Sequence, residues 1–197
     1  MAQLRQLVLA SASRYRRELL ARLPFAFECA APDIDEAPRA GETPAQSARR
    51  LAEEKARALA PRYPEALIVG SDQVASCDGE WLGKPGSHAT AARQLARLSG
   101  RTAQFDTAVC VLDARSGEAR SRVVACRVEF RRLTRAQIES YLRLEQPYDC
   151  AGSAKAEGLG IALLAKIETE DPTSLIGLPL IALTELLAEA GLPALGR

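Results

Sequence analysis

Residues 67–70 form an unbroken apolar run, Leu67-Ile68-Val69-Gly70, that passes directly into Ser71-Asp72-Gln73. A run of this length and composition buries itself as a strand in a sheet, which makes an α/β architecture the natural frame for the chain. A charged group closing such a strand reaches the crevice where open α/β sheets hold ligands. Asp72 alone could equally be a surface acid on an ordinary edge. Its surroundings in the chain argue for more: Ser11, Arg16 and Arg17 lie upstream and Gly83-Lys84-Pro85 just downstream. One acid among several fixed cations suits a phosphate-handling, metal-assisted site.

The rest of the chain alternates strand and helix signals. Residues 7–10 read as a strand and 14–23 as a helix with Leu19, Leu20 and Leu23 on one face, followed by a strand over 25–30. Thr43-Pro44-Ala45-Gln46 has a capping-box pattern with Pro at the first helical position, and opens a helix to about Ala60, where Pro61 and Pro64 stop it. The strand over 67–72 is followed by a hairpin, 74–77 and 80–82 around Asp78-Gly79. Ser87 caps a helix through Ala91, Leu95 and Leu98. Two long strands, 102–112 and 119–130, flank a polar turn and imply an antiparallel pair in a mixed sheet. Thr134 opens a further helix, 151–160 is a small-residue loop, and 179–190 is the final helix. The expected fold is α/β, a mixed twisted sheet with flanking helices. At 197 residues the chain fits a single domain spanning 1–197, or one core split into two lobes.

Lys and Arg number 26 against 25 for Asp and Glu, so there is no overall field to hold a nucleic-acid polymer. Five widely spaced cysteines without a C-x-x-C pair read as reduced and mostly buried. No apolar stretch has transmembrane length, and the short run before Arg14 is no signal peptide, so a cytoplasmic protein without a membrane partner is expected. The single histidine, His88, makes Ser-His-Asp hydrolysis and multi-histidine zinc sites improbable. Acid-base work falls to carboxylates, lysines or metal-bound water.

Ala10-Ser11-Ala12-Ser13-Arg14-Tyr15-Arg16-Arg17 is expected to bring backbone N–H groups, two hydroxyls and three guanidinium groups to one helix start, where anions bind. Arginines there oppose the helix dipole, which points to a negative ligand, although a serine cap with solvated arginines also fits. Asp33, Asp35 and Glu36 form an acidic loop after the second strand. Such a loop is more often simply solvated, but two carboxylates from separate strands can share Mg²⁺ or Mn²⁺. Lys55 in the second helix and Lys84 in its Gly-Lys-Pro turn are uninformative singly.

Together, Ala-Ser with a following Arg-Arg, the Asp-Glu after the second strand, Lys55, Gly-Ser-Asp-Gln, Gly-Lys-Pro and the late Ala-Gly-Ser loop resemble the Maf nucleoside triphosphate pyrophosphatases over nearly the whole chain. The resemblance implies a Maf/ITPase-like fold, two lobes around a deep cleft, and divalent-cation-assisted hydrolysis of a nucleoside triphosphate to monophosphate and diphosphate. It implies Asp72, Lys55 and Lys84 as catalytic residues, and Glu36 with Asp72 as metal ligands. Ser11, Tyr15, Arg16, Arg17, Gln73 and Glu157 would bind substrate. Pyrimidine-preferring members carry glutamine where this chain has Glu157, so Glu157 and Tyr15 match the branch that hydrolyses 7-methyl-GTP. A carboxylate can accept two adjacent guanine N–H donors, and N7 methylation makes the base cationic, strengthening that contact and stacking on an aromatic ring. Alternatively, Glu157 faces solvent and Tyr15 merely coats its helix.

The expected reaction is attack of water at the α-phosphorus, with Asp72 orienting or deprotonating it. Rival readings are a Maf-type enzyme for dTTP, UTP or CTP, and a non-catalytic nucleotide-sensing regulator of cell division. A homodimer is compatible with the sequence.

Overall fold

The computed structural model describes residues 5–195. The elements are β1 (Leu7–Ala10), α1 (Arg14–Leu20), β2 (Phe27–Ala30), α2 (Pro44–Leu59), β3 (Leu67–Cys77), β4 (Glu80–Leu82), α3 (His88–Leu98), β5 (Thr102–Asp113), β6 (Ala119–Phe130), α4 (Arg135–Glu145), β7 (Leu164–Thr169) and α5 (Leu180–Glu189). Short 3-10 turns occupy Ala151–Ser153, Leu159–Leu163 and Ser174–Ile176. The strands hydrogen-bond in the order β2-β1-β3-β5-β6-β7, with β4 also on β3, so the mixed α/β fold expected from the sequence is the one found.

The chain divides into two compact units. The first comprises the chain up to Gln73, Thr107–Val124 and everything from Asp171; the second comprises Val74–Asp106 and Ala125–Glu170. In the first unit β1 pairs in parallel with both β2 and β3, Leu7 lying opposite Phe27 on one side and Leu67 on the other. A strand with partners on both edges and helices above it has no wet face, and all four residues of β1 are buried. The core joins Leu7, Leu9, Leu67, Val69, Val109 and Val111 of the strands to Leu19 and Leu20 of α1 and to Leu183, Leu186 and Leu187 of α5. Helix α2 begins as its sequence demands. Thr43 accepts from the Gln46 N–H while the Gln46 side chain accepts from the Thr43 N–H, and Pro44 fills the first turn.

Gly70 sets how closely α2 lies on β3. A Cβ at Gly70 would stand 2.0 Å from the Ala52 carbonyl oxygen and 3.1 Å from the Ala56 nitrogen, so only glycine permits the approach.

In the second unit β4 pairs antiparallel with the end of β3, and β7 antiparallel with β6, with a register shift between Glu129 and Phe130. Helices α3 and α4 bury Leu95, Leu98, Ile138, Tyr141 and Leu142, alongside the strand residues Phe105, Val128 and Phe130. Thr134 and Gln137 form a second capping box, and Gln146 ends α4 in the left-handed region.

Two expectations are corrected. β3 does not end at Asp72 but runs eleven residues to Cys77, with β5 beside it and β4 pairing its last three residues, Ala75 to Cys77. Burial shifts there from continuous to mixed, which makes the strand look interrupted in the sequence. Helix α1 stops at Leu20, and Leu23 packs against the core from the turn beyond. β7 has no counterpart among the expected elements: four of its six residues are exposed and only Leu164 is buried, so neither alternation nor an apolar run marks it. Among the described residues no helix is long and apolar enough to cross a membrane.

Candidate active site

The first unit brings together Asp72, Lys55 and, from the acidic loop, Glu36, while Asp35 instead accepts from the Ala37 N–H. Lys55 projects from α2 one turn beyond Ala52, the residue held against Gly70. Its Nζ donates to Asp72 Oδ1 at 2.6 Å and lies 2.8 Å from Glu36 Oε1. Lys55 is 5% and Asp72 8% exposed, whereas the Glu36 side chain is largely in solvent. A buried ammonium is costly unless paired, and two carboxylates pair this one. The result is a small anion-cation-anion cluster open at the Glu36 end.

Arg16 is the guanidinium that belongs to this cluster. Desolvation lowers its pKa, while the nearby Asp72 and Glu36 carboxylates act in the opposite direction. Its Nε donates to the Gly177 carbonyl at 2.8 Å. Ser71 Oγ, buried on the strand face opposite Asp72, lies 2.9 Å from the same oxygen and 2.7 Å from Ala108 O. Gly177 takes φ +118°, a left-handed conformation that turns its carbonyl toward both donors.

The three arginines of α1 do not converge. Arg14 stacks over the Tyr15 ring at 4.7 Å and donates to its hydroxyl at 2.6 Å, while Arg17 is exposed. On a helix, residues 14, 16 and 17 point in different directions, and only one of them faces the cluster. Ser11 is buried, and its Oγ accepts from the Ser13 N–H at 3.1 Å, shaping the turn between β1 and α1; Ser13 is the helix cap.

Gln73, expected to bind substrate, is held against a turn of the same unit. Its Nε2 donates to Thr107 Oγ1 and Ser174 O, both at 2.9 Å, and lies 3.2 Å from Leu175 O. Thr107 Oγ1 also donates to Ser174 O. The donating end of Gln73 is therefore committed to the turn that leads into Gly177. Asp171, buried at 2% exposure, anchors the other end of that segment. It accepts from Thr173 N and Oγ1 with one oxygen and from the Ile181 N–H at the start of α5 with the other. These residues were missed in the sequence, although the turn-forming run Asp171-Pro172-Thr173-Ser174 was the available signal.

Lys84 and Glu157 belong to the second unit. Lys84 is exposed in the loop between β4 and α3. Glu157 is exposed in a turn, yet desolvation by surrounding atoms raises its carboxyl pKa, with Lys155 opposing and Glu145 adding to the shift. Two more residues there escaped the sequence reading. Asp106 is buried with Gln104 Nε2 on both its oxygens, and burial raises its pKa. Glu145 ties down the loop that carries Glu157.

Asp72 and Glu36 offer hard oxygen donors converging on one point, the set that Mg²⁺ or Mn²⁺ prefers with water completing the shell. Lys55 Nζ holds that point, and among the described residues no group of three or more His, Cys, Asp or Glu is gathered. Two carboxylates would leave most of a divalent ion's shell to water, and an ion shared by both would take the place that Lys55 Nζ holds.

Comparison with known proteins agrees with the residue pattern. A 7-methyl-GTP pyrophosphatase of Cupriavidus pinatubonensis is 57% identical over 188 residues, covering 95% of this chain and 94% of its own. One from Albidiferax ferrireducens is 56% identical over 98% of this chain and 96% of its own. The structure of a HAM1 protein from Coxiella burnetii overlays 66% of this chain and 75% of its own at 19% identity with a TM-score of 0.46, too little to bear on the fold. The Maf-like protein family matches residues 6–190, and with that extent of match the chain belongs to the Maf family.

Proposed function

We propose that this protein is a nucleoside triphosphate pyrophosphatase that hydrolyses 7-methyl-GTP to 7-methyl-GMP and diphosphate. Relatives 53–57% identical over nearly the whole chain bear that activity in their names. The observation that carries the chemistry is Lys55 held between Asp72 and Glu36 with Arg16 beside them.

In the proposed reaction water adds to the α-phosphorus, the bond from that phosphorus to the α,β-bridging oxygen breaks, and diphosphate leaves. Asp72 takes the proton of the attacking water or orients it. Lys55 and Arg16 offset the charge that gathers on the phosphate oxygens as the bond breaks. Asp72 and Glu36 would hold Mg²⁺ or Mn²⁺, whose chemistry is to lower the pKa of a bound water and neutralise phosphate charge. Ser11 and Arg17 are proposed to bind phosphate, and Tyr15 to stack on the base once released from Arg14. The roles of Lys84 on phosphate charge and of Glu157 on the guanine edge rest on residue type and family likeness. Free cysteines with no C-x-x-C pair suit a reducing cytoplasm.

The test is diphosphate release from a panel of 7-methyl-GTP, GTP, dTTP, UTP and CTP with Mg²⁺ or Mn²⁺, run beside Asp72→Asn. The expected result is preference for the methylated purine and loss of turnover in the variant. A pyrimidine preference would overturn the specificity, and full activity in Asp72→Asn would overturn the mechanism.

A further inference from the structure

Glu157 sits inside a turn whose two ends are fastened to the same side chain. The Gly158 N–H donates to Lys155 O at 3.1 Å, closing residues 155–158 into a turn with Glu157 at its third position. Lys155 Nζ then donates to Glu145 Oε1 at 2.8 Å, and the Leu159 N–H donates to Glu145 Oε2 at 2.7 Å. One carboxylate on the last residue of α4 thus receives a donor from each flank of Glu157.

The fastening is tight on every side. A Cβ at Gly158 would lie 2.7 Å from Glu145 Oε2, and a Cβ at Gly160 would lie 2.5 Å from the Lys155 carbonyl oxygen, so both glycines let the turn close onto its clamp. The Lys155 N–H donates to Tyr141 Oη at 3.0 Å, and Tyr141 is buried on the same helix one turn before Glu145. The Glu145 side chain is itself mostly shielded, which strengthens its charge-assisted bonds relative to a surface pair. A four-residue turn carrying an exposed side chain has no intrinsic reason to hold one orientation. Here it is held at Lys155 twice and at Leu159 once, all from α4.

We infer that Glu145 is a positioning residue for base selection: by clamping Lys155 and Leu159 it fixes the orientation of Glu157. The inference rests on the proposed reading of Glu157 as the group that recognises the guanine edge. Two parallel hydrogen bonds accepted by one carboxylate demand a fixed plane, and a misplacement of about an ångström can cost up to about 10²-fold in a reaction that depends on it. Glu145 bears on selectivity and not on the chemical step, since it belongs to the clamp and not to the Lys55 cluster.

The experiment measures kcat/KM for 7-methyl-GTP and for UTP in the native protein, Glu145→Ala, Glu145→Gln, Glu157→Gln and the double variant Glu145→Ala/Glu157→Gln, with thermal melts of each. Glu145→Ala is expected to lower the 7-methyl-GTP to UTP ratio about tenfold or more, mainly through KM. Glu145→Gln, which keeps an acceptor for Leu159 N–H, should retain much of the ratio. The double variant should match Glu157→Gln alone, because a clamp has no further effect once the group it holds is altered. If Glu157→Gln shifts the ratio while a folded Glu145→Ala does not, the positioning role is overturned and the reading of Glu157 stands. If Glu157→Gln leaves the ratio unchanged, that reading fails and the clamp's role in selection fails with it. Should Glu145→Ala not fold, Lys155→Met, which removes one tie and keeps the other, must show a smaller fall in the same direction; an unchanged ratio there also overturns the proposal.

Discussion

Lys55 Nζ stands 2.6 Å from Asp72 Oδ1 across the contact between α2 and β3, and both residues are more than nine-tenths buried. Removing one partner of such a pair leaves the other charge desolvated and unmatched. Lys55→Met should therefore cost about 3 kcal/mol of stability, read as a lower urea midpoint. Asp72→Asn should cost clearly less, because the amide oxygen still accepts from Lys55 and Glu36 still balances its charge. Both should lose diphosphate release. A Lys55→Met protein as stable as the native one would mean that the pair contributes nothing to folding.

Gly70→Ala tests whether that pair depends on the close seat of α2. The added methyl would meet the Ala52 carbonyl at 2.0 Å, and a main-chain atom in a helix cannot move without its neighbours. The expected cost is about 2–3 kcal/mol, in the range of overpacked cores. Activity should fall further than stability does, since the displaced helix carries Lys55. Retention of native turnover in a folded Gly70→Ala protein would separate the helix seat from the site.

These two cases show where the sequence is explicit and where it is silent. The apolar run at 67–70 and the Thr43-Pro44-Gln46 box state their structural consequences locally, through burial and capping, whereas the need for glycine at 70 comes from Ala52, eighteen residues away, and cannot be read beside it. Glu36 and Asp72 could be joined through the chemistry of a shared divalent ion, but Lys55 only by family resemblance, because the spacing of the three carries no helical or strand period. Arg14, Arg16 and Arg17 looked alike in the sequence, yet only Arg16 reaches a carbonyl on a segment 161 residues away. Asp72 looked like a strand end because the apolar run stops there, whereas the pairing with β5 and, from Ala75 on, with β4 is non-local and leaves no trace in residues 71–73. The clamp at Glu145 depends on the exact landing of a later loop, which nothing near Glu145 announces.

Asp113 supplies a pH-dependent contribution whose sign can be worked out. Arg5 donates to both its oxygens, at 2.6 and 2.8 Å, and this holds the Asp113 pKa down at about 2. A carboxyl whose folded pKa lies below its unfolded value of about 3.9 stabilises the fold at pH values above that, and loses the contribution as pH falls through the folded pKa. Asp113→Asn should therefore be less stable than the native protein at pH 7, with the gap closing between about pH 4 and pH 2. Because the pair is partly exposed, the gap at pH 7 should be modest, about 1 kcal/mol, and should shrink with added salt. A gap that stays constant down to pH 2 would mean that the ion pair is not its source.

Gln73→Glu distinguishes a structural glutamine from one that serves substrate. In the native protein Gln73 Nε2 faces three oxygens, Thr107 Oγ1, Ser174 O and Leu175 O. A carboxylate in that place presents an acceptor to acceptors, so the protonated form is favoured in the fold and the folded pKa must rise above the unfolded value of about 4.3. An acid with a raised folded pKa carries no penalty below the unfolded pKa, and a penalty that grows as pH rises above it until the folded pKa is passed. Gln73→Glu should thus be nearly as stable as the native protein at pH 4 and weaker at pH 8, by about 1–3 kcal/mol for unsatisfied buried acceptors. Gln73→Met, which cannot ionise, should lose the same amount at both pH values. Loosening the Ser174–Ile176 turn also releases the Gly177 carbonyl that Arg16 grips, so both variants should raise KM for the nucleotide in step with their loss of stability. Equal stability of native and Gln73→Glu proteins at pH 8, with KM still raised, would show that Gln73 acts on the nucleotide itself and not through the turn.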